Sequence, residues 1–219
     1  MARSFSLSLS VSVLASTLLG ILCVGSWMSE PVQAAPRHSF PGRRIGGGTR
    51  GECAARQIVH LVPESSVFAP GSPALIGWLE GPSSDPLPLT AALRPVAADG
   101  SADAGAAPVL QKQVPAAANR LVLLSVPAVQ QSLLWESSYR CDADEANDEF
   151  GFITASAPPA LSLLVQQGDQ GDRQLQQTLA GLQTSCGGTT LVAPLKAALQ
   201  LGDDVIDDSW PKSVSVECF

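Results

Sequence analysis

The stretch Ser132-Leu133-Leu134-Trp135-Glu136-Ser137-Ser138-Tyr139-Arg140-Cys141 decides how the chain is read. In an extended backbone successive side chains point to opposite faces, so Leu133, Trp135, Ser137, Tyr139 and Cys141 share one face. That period-2 pattern predicts a strand with one side in a core. Outward from it, Gln57–Val62, Ala74–Glu80, Leu89–Val96, Val109–Val114, Arg120–Val126 and Phe150–Ser156 are also of strand length, several of them β-branched or alternating. Pro, Gly, Ser and Asp separate them. Short strands bounded by turn residues predict an antiparallel β-sandwich over residues 57–157. The low-complexity stretch Ala97–Ala107 reads as an extended hairpin loop, since closure entropy grows slowly with length.

From Pro158 onward the period changes. Leu161, Leu164 and Val165, then Leu175, Leu179 and Leu182, then Leu191, Leu195, Leu199 and Val205 recur at three- and four-residue steps. Two or three short helices are predicted over residues 158–219, with Asp169 or Asp172 as a cap and Gly187-Gly188 as a stop. The fold class expected is therefore mainly β, a sandwich followed by a small helical region.

Ahead of the sandwich lie two further segments. Residues 1–34 have the parts of a secretory signal peptide: Arg3, then an uncharged run from Phe5 to Trp27 holding Val11, Leu14, Leu18, Leu22 and Val24, then Val32-Gln33-Ala34 as a cleavage site. A retained anchor is the alternative, though Ser6, Ser8, Ser10, Ser12, Ser16, Gly20 and Gly25 dilute the apolar run. Leu22 is too large for a lipobox ahead of Cys23. Residues 35–56 form a basic, Gly-rich entry segment. No later stretch is long and apolar enough to span a bilayer as a helix.

A net charge of −7 argues against nucleic acid and anionic membranes as main partners. Of five cysteines, Cys23 falls in the signal; Cys53, Cys141, Cys186 and Cys218 remain. An even set outside the cytoplasm predicts two disulfides, with three connectivities open. A zinc site is not expected, because no Cys-x-x-Cys spacing exists and the only histidines are His38 and His60.

Three groups of residues, Arg43-Arg44-Ile45-Gly46-Gly47-Gly48-Thr49-Arg50-Gly51-Glu52-Cys53, Leu61-Val62-Pro63-Glu64 and Trp135-x-x-x-Tyr139-x-Cys141, resemble the exported cyanobacterial family catalogued as domain of unknown function 928. The resemblance extends over roughly Pro41 to Trp210. That family has no established activity, so what it implies is compartment and covalent framework: Cys53 paired with Cys141, and Cys186 with Cys218.

Gly46, Gly48 and Gly51 spell G-x-G-x-x-G, but a dinucleotide site needs a strand before and a helix after, and Pro41-Gly42-Arg43-Arg44 precedes here. Two readings of the segment stay open. In one, Gly46, Gly47 and Gly48 form a backbone nest and Arg43, Arg44 and Arg50 hold an anion. In the other, the glycines permit a tight backbone crossing while the arginines are solvated or paired within the protein.

Asp142, Asp144, Glu145, Asp148 and Glu149 fail the EF-hand order, and with Asp203, Asp204, Asp207 and Asp208 they read as solvated loops. No G-x-S-x-G occurs, and His60 lies inside a predicted strand as a packed core or edge residue rather than a general base. Trp78, Trp135 and Trp210 are expected in the core or at its rim. No catalytic set, metal or cofactor is expected. The function expected is a non-catalytic periplasmic or secreted interaction module with an envelope protein as partner. A small-anion or glycan binder is the alternative, and a hydrolase the third.

Overall fold

The computed structural model describes residues 40–48, 56–97, 100–103, 105–139 and 158–219. Its elements in chain order are β1 (Ile45–Gly48), β2 (Arg56–His60), β3 (Val67–Phe68), β4 (Ala74–Glu80), β5 (Leu89–Pro95), β6 (Leu110–Val114), β7 (Arg120–Val126), β8 (Leu133–Tyr139), β9 (Ala160–Leu164), α1 (Gln170–Gln183), β10 (Thr189–Leu191), α2 (Val192–Ala198) and β11 (Ser213–Cys218). One sheet has the order β1-β2-β4-β7-β11-β10, the other β3-β9-β8-β5-β6. Neighbours are antiparallel except β7 with β11 and β3 with β9. The chain is a β-sandwich with a small helical part, as its patterning predicts.

Leu133–Tyr139 form β8, while Arg140 and Cys141 lie outside the described residues. Leu133, Trp135, Ser137 and Tyr139 are all buried on the face turned to the other sheet, whereas Glu136 and Ser138 are half-exposed. Across the ladder Trp135 pairs with Leu93 of β5 and Ser162 of β9, so those residues share its face. In the six-stranded sheet the register aligns His60, Trp78 and Val122 in one row, and Val59, Leu79, Leu121 and Val216 in the next. Successive rows face opposite sides. The first row meets the five-stranded sheet. The second meets the helical segment, whose Leu175, Leu179, Val192, Leu195 and Trp210 join the same core cluster. Every residue of β4 is buried because both faces of this strand are covered.

Four of the predicted strands reappear within a residue or two of their expected bounds, as β2, β5, β6 and β8, and β4 and β7 have the bounds expected. Phe150–Ser156 lies outside the described residues. Residues 158–219, where two or three short helices are expected, supply two helices and also the strands β9, β10 and β11. Leu161, Leu164 and Val165 fit a helical step, but a run this short fits a strand equally well, and pairing with β8 decides it. The entry segment likewise contains a strand, β1, on the edge of the six-stranded sheet.

α1 is amphipathic, burying Leu175 and Leu179 one turn apart. Its start is the expected cap: Asp169 Oδ1 accepts from the Asp172 amide at 3.1 Å, and Asp172 Oδ2 accepts from the Asp169 amide at 2.9 Å. This reciprocal capping box satisfies two amides that the helix leaves without intrahelical partners. Asp169→Ala is expected to lower stability by about 0.5–2 kcal/mol in urea unfolding. An unchanged midpoint would show that the cap does not stabilise the helix. The helix stops at Gln183, ahead of the expected Gly187-Gly188, with Thr184 Oγ1 donating to the Gly181 carbonyl at 2.7 Å.

Candidate functional site

The arginine-glycine segment is built into the sandwich by its own main chain. Arg43 exchanges backbone hydrogen bonds with Leu161 at 2.9 and 2.7 Å, and the Gly47 amide donates to the Pro158 carbonyl at 2.8 Å. Gly46 lies so close to β9 that a Cβ there would fall into the main chain of Pro159 and Ala160. Gly47 has φ +98°, a conformation side chains rarely adopt. Gly48 pairs with Arg56 at the end of β1. Gly46→Ala is therefore expected to cost about 1–3 kcal/mol by overpacking, read as a lower urea midpoint. A variant as stable as the parent would mean that β1 does not cross there.

The two described guanidinium groups diverge. Arg43 donates through Nε and Nη2 to the Pro159 carbonyl at 3.2 and 3.0 Å. Arg44 donates through Nη1 to the carbonyls of Val62 at 3.2 Å and Leu199 at 3.0 Å, and through Nη2 to Gln200 at 3.4 Å. Its amide donates to Ser66 Oγ at 3.1 Å. Burial lowers the Arg44 pKa and the Glu64 carboxylate opposes that. Arg44 thus caps the carbonyl end of α2, where a cation is favoured. Arg43 Nε and Nη2 and Arg44 Nη1 and Nη2 thus go to main-chain oxygens, the geometry of a backbone crossing with internally paired arginines. Arg50 lies outside the described residues.

The densest polar cluster lies between the sheets. The His60 ring stacks on Trp135 with centroids 3.5 Å apart and planes 8° from parallel. His60 Nδ1 is 2.8 Å from Ser162 Oγ. Nε2 is buried and makes no hydrogen bond with a described residue. Trp78 meets Trp135 edge-on at 6.3 Å. Each indole N–H is satisfied two residues along its own strand, Trp135 by Ser137 Oγ at 3.0 Å and Trp78 by Glu80 Oε1 at 3.0 Å. Glu80 continues the chain of contacts to Arg120 at 2.9 Å, and Arg120 reaches Glu217 at 2.9 Å and the Pro115 carbonyl at 2.6 Å.

Burial holds the His60 pKa well below the ordinary imidazole value. Stacking on Trp135 would favour a cation by about 2 kcal/mol at a dry site. Removing an ion from water costs several kcal/mol even after relaxation. Desolvation is the larger effect, so the imidazole is neutral. At Glu80 burial raises the carboxyl pKa while Arg120 and the Trp78 N–H oppose it.

A serine and a histidine in contact are the start of a nucleophile–base pair. Here His60 is 1% exposed and Ser162 0%, so neither meets solvent or substrate. Among the described residues no carboxylate hydrogen-bonds to the ring. The sequence places Ser137 on the face of Trp135 but assigns no role to Ser162, Glu80 or Arg120; the signal that finds two of these contacts is Trp-x-Ser and Trp-x-Glu on period-2 strands. Trp78, Trp135 and Trp210 are all buried and offer no exposed ring for stacking.

Two clefts of about 230 and 200 Å³ border α1. Pro70, Ser72, Pro73, Ser125 and Gln177 line the first, which has no ionisable side chain. Glu64 is the ionisable lining residue of the second. Neither contains His60.

Cys186 and Cys218 form a disulfide with Cα atoms 5.7 Å apart, and both residues are exposed. Cys53 and Cys141 lie outside the described residues. So do Asp142, Asp144, Glu145, Asp148 and Glu149. Asp203, Asp204, Asp207 and Asp208 sit on an exposed loop. Lys196 Nζ holds Asp203 at 2.5 Å, and the Ser209 amide holds Asp207 at 2.9 Å. The hydrogen bonds from Lys196 and Ser209 lower the pKa of Asp203 and Asp207 respectively. Among the described residues no group of three or more His, Cys, Asp or Glu could hold a metal ion. Among them, too, no helix is long and apolar enough to cross a membrane. Comparison with family models, curated proteins and solved structures finds no match for this chain.

Proposed function

We propose that this chain is an exported, non-catalytic interaction module, periplasmic or secreted, that leaves the cytoplasm behind the signal at residues 1–34 and engages an envelope protein through its outer surface. The observation that carries this reading is the inward placement of the reactive groups. His60 and Ser162 are sealed between the sheets, and Glu80 and Arg120 are spent on each other. A general base must come within hydrogen-bond reach of its substrate. A surface disulfide suits an oxidising compartment. The acidic balance favours a partner whose contact face is basic. Likeness to the exported cyanobacterial family, domain of unknown function 928, belongs to the same reading.

Expression of the full chain in a Gram-negative host tests it. The expected product is a periplasmic protein beginning at Ala35, with Cys186 and Cys218 resistant to alkylation until reduced. Crosslinking in envelope extracts should then give one defined heteromeric species. An uncleaved cytoplasmic product overturns export. Turnover of any ester or peptide substrate that Ser162→Ala abolishes overturns the non-catalytic reading.

A further inference from the structure

We propose that His60 is an acid-sensitive latch between the two sheets, closed while its imidazole is neutral and opened when the ring is protonated. The side chain starts on β2 of the six-stranded sheet, and both of its ring contacts belong to the other sheet. Trp135 of β8 stacks on its face at 3.5 Å, and Ser162 of β9 bonds Nδ1 at 2.8 Å. It is therefore a polar connection across the sandwich, paired along its own sheet with Trp78, which belongs with Ile58 and Leu164 to the buried apolar core.

The neutral ring suits this position and the cation does not. A neutral imidazole carries one N–H and one lone pair, so a single partner at Nδ1 leaves at most one unbonded nitrogen. The imidazolium carries an N–H on both nitrogens, and among the described residues Nε2 has no acceptor. The described elements around it do not supply one. Just ahead of β1 the neighbour is the Arg44 carbonyl, which accepts the His60 main-chain amide at 2.7 Å, while the Arg44 guanidinium is itself cationic and bonded to the main-chain carbonyls of Val62, Leu199 and Gln200. On β4 the partner across the ladder is Trp78, and the acid on that face is Glu80, already held by Trp78 and Arg120. On β8 the same face carries Trp135, Ser137 and, farther along, Tyr139, while Glu136 is on the opposite face. On β9 it carries Ser162.

The direction with pH follows from the lowered folded-state pKa. Above the ordinary value of 6.5 both folded and unfolded rings are neutral, and the latch contributes its full stability. As pH falls below 6.5 the unfolded ring binds a proton that the folded ring refuses, so stability is lost progressively. Glu80 works in the opposite sense: its raised pKa makes the folded state bind a proton more tightly than the unfolded one as pH falls. A His60 variant separates the two, because Glu80 is the same in both proteins.

The test is urea unfolding of the oxidised full chain at pH 7.5, 6.5, 5.5 and 5.0, beside His60→Phe and His38→Gln. His60→Phe keeps an aromatic ring on Trp135 and cannot be protonated. Relative to His60→Phe, the wild-type unfolding constant is expected to rise by up to about tenfold per pH unit below 6.5, or about thirtyfold by pH 5. His38→Gln should follow the wild type through this window. Parallel profiles for wild type and His60→Phe overturn the latch. If His60→Phe does not fold, NMR titration of the wild-type imidazole decides. A folded-state His60 still neutral at pH 5 supports the latch, and one titrating near 6.5 overturns it.

Discussion

Arg120→Met is expected to destabilise the fold by about 3–5 kcal/mol at neutral pH, the usual consequence of leaving a buried ion without its partner. The Arg120 side chain is 2% exposed and the Glu80 side chain 0%. Arg120 bridges Glu80 and Glu217 and also donates to the Pro115 carbonyl. Without Arg120 the Glu80 carboxylate keeps only the Trp78 N–H among the donors now bonded to it. Two controls give this prediction its sign. Burial already raises the Glu80 pKa, so the loss should shrink as pH falls and the folded carboxyl takes up a proton. Glu80→Gln combined with Arg120→Met should recover more than half of the loss, because the amide oxygen still accepts from Trp78 and no charge is stranded. Urea midpoints of the two single variants and the double variant check this. Additive losses would mean that the pair is not coupled.

Removing the Cys186–Cys218 bridge is expected to cost up to about 3.7 kcal/mol, the chain-entropy value for its sequence separation of 32. The closed loop starts just past the end of α1 and contains β10, α2 and all of β11. β11 is not a loose end: it lies between β7 and β10, burying Val214 and Val216. Ordering it from an untethered denatured chain costs more entropy than from a looped one. Cys186→Ser with Cys218→Ser should therefore unfold at a clearly lower urea concentration than the oxidised wild type. An identical midpoint would contradict the assignment of a stabilising bridge.

Much of the fold was readable from residue order because local pattern and tertiary environment agree along the central strands. Trp135 and Tyr139 alternate with Glu136 and Ser138, and the buried and half-exposed sides follow that alternation. Agreement failed where a run was too short to carry a period. Ala160–Leu164 has leucines at helical steps, yet its partner is β8. Ser213–Cys218 alternates plainly, with Val214 and Val216 buried between exposed Ser213 and Ser215, a period-2 signal hidden by the helical pattern upstream. The glycines of β1 show one half of the same lesson. Their conformational freedom was legible, but the close approach to Pro159 and Ala160 that requires it depends on a strand more than a hundred residues away.

The polar core was the least legible part. Its strand predicts His60 as a packed core or edge residue, and the side chain is buried in the core. Its partners come from strands β8 and β9, and no local pattern in one strand announces a contact across the sandwich. Glu80 and Arg120 face each other at the end of the β4–β7 ladder, a register that only the folded sheet fixes. Buried charges need partners and indole N–H groups need acceptors. Those requirements state that such partners exist without naming them.

Carbethoxylation of histidine at neutral pH measures directly whether His60 is sealed with Ser162 between the sheets. Peptide mass spectrometry of the native full chain, treated with diethyl pyrocarbonate for increasing times, should show His60 unmodified until denaturant is added. Modification of native His60 as fast as in the denatured chain would contradict a closed sandwich and reopen the site to chemistry.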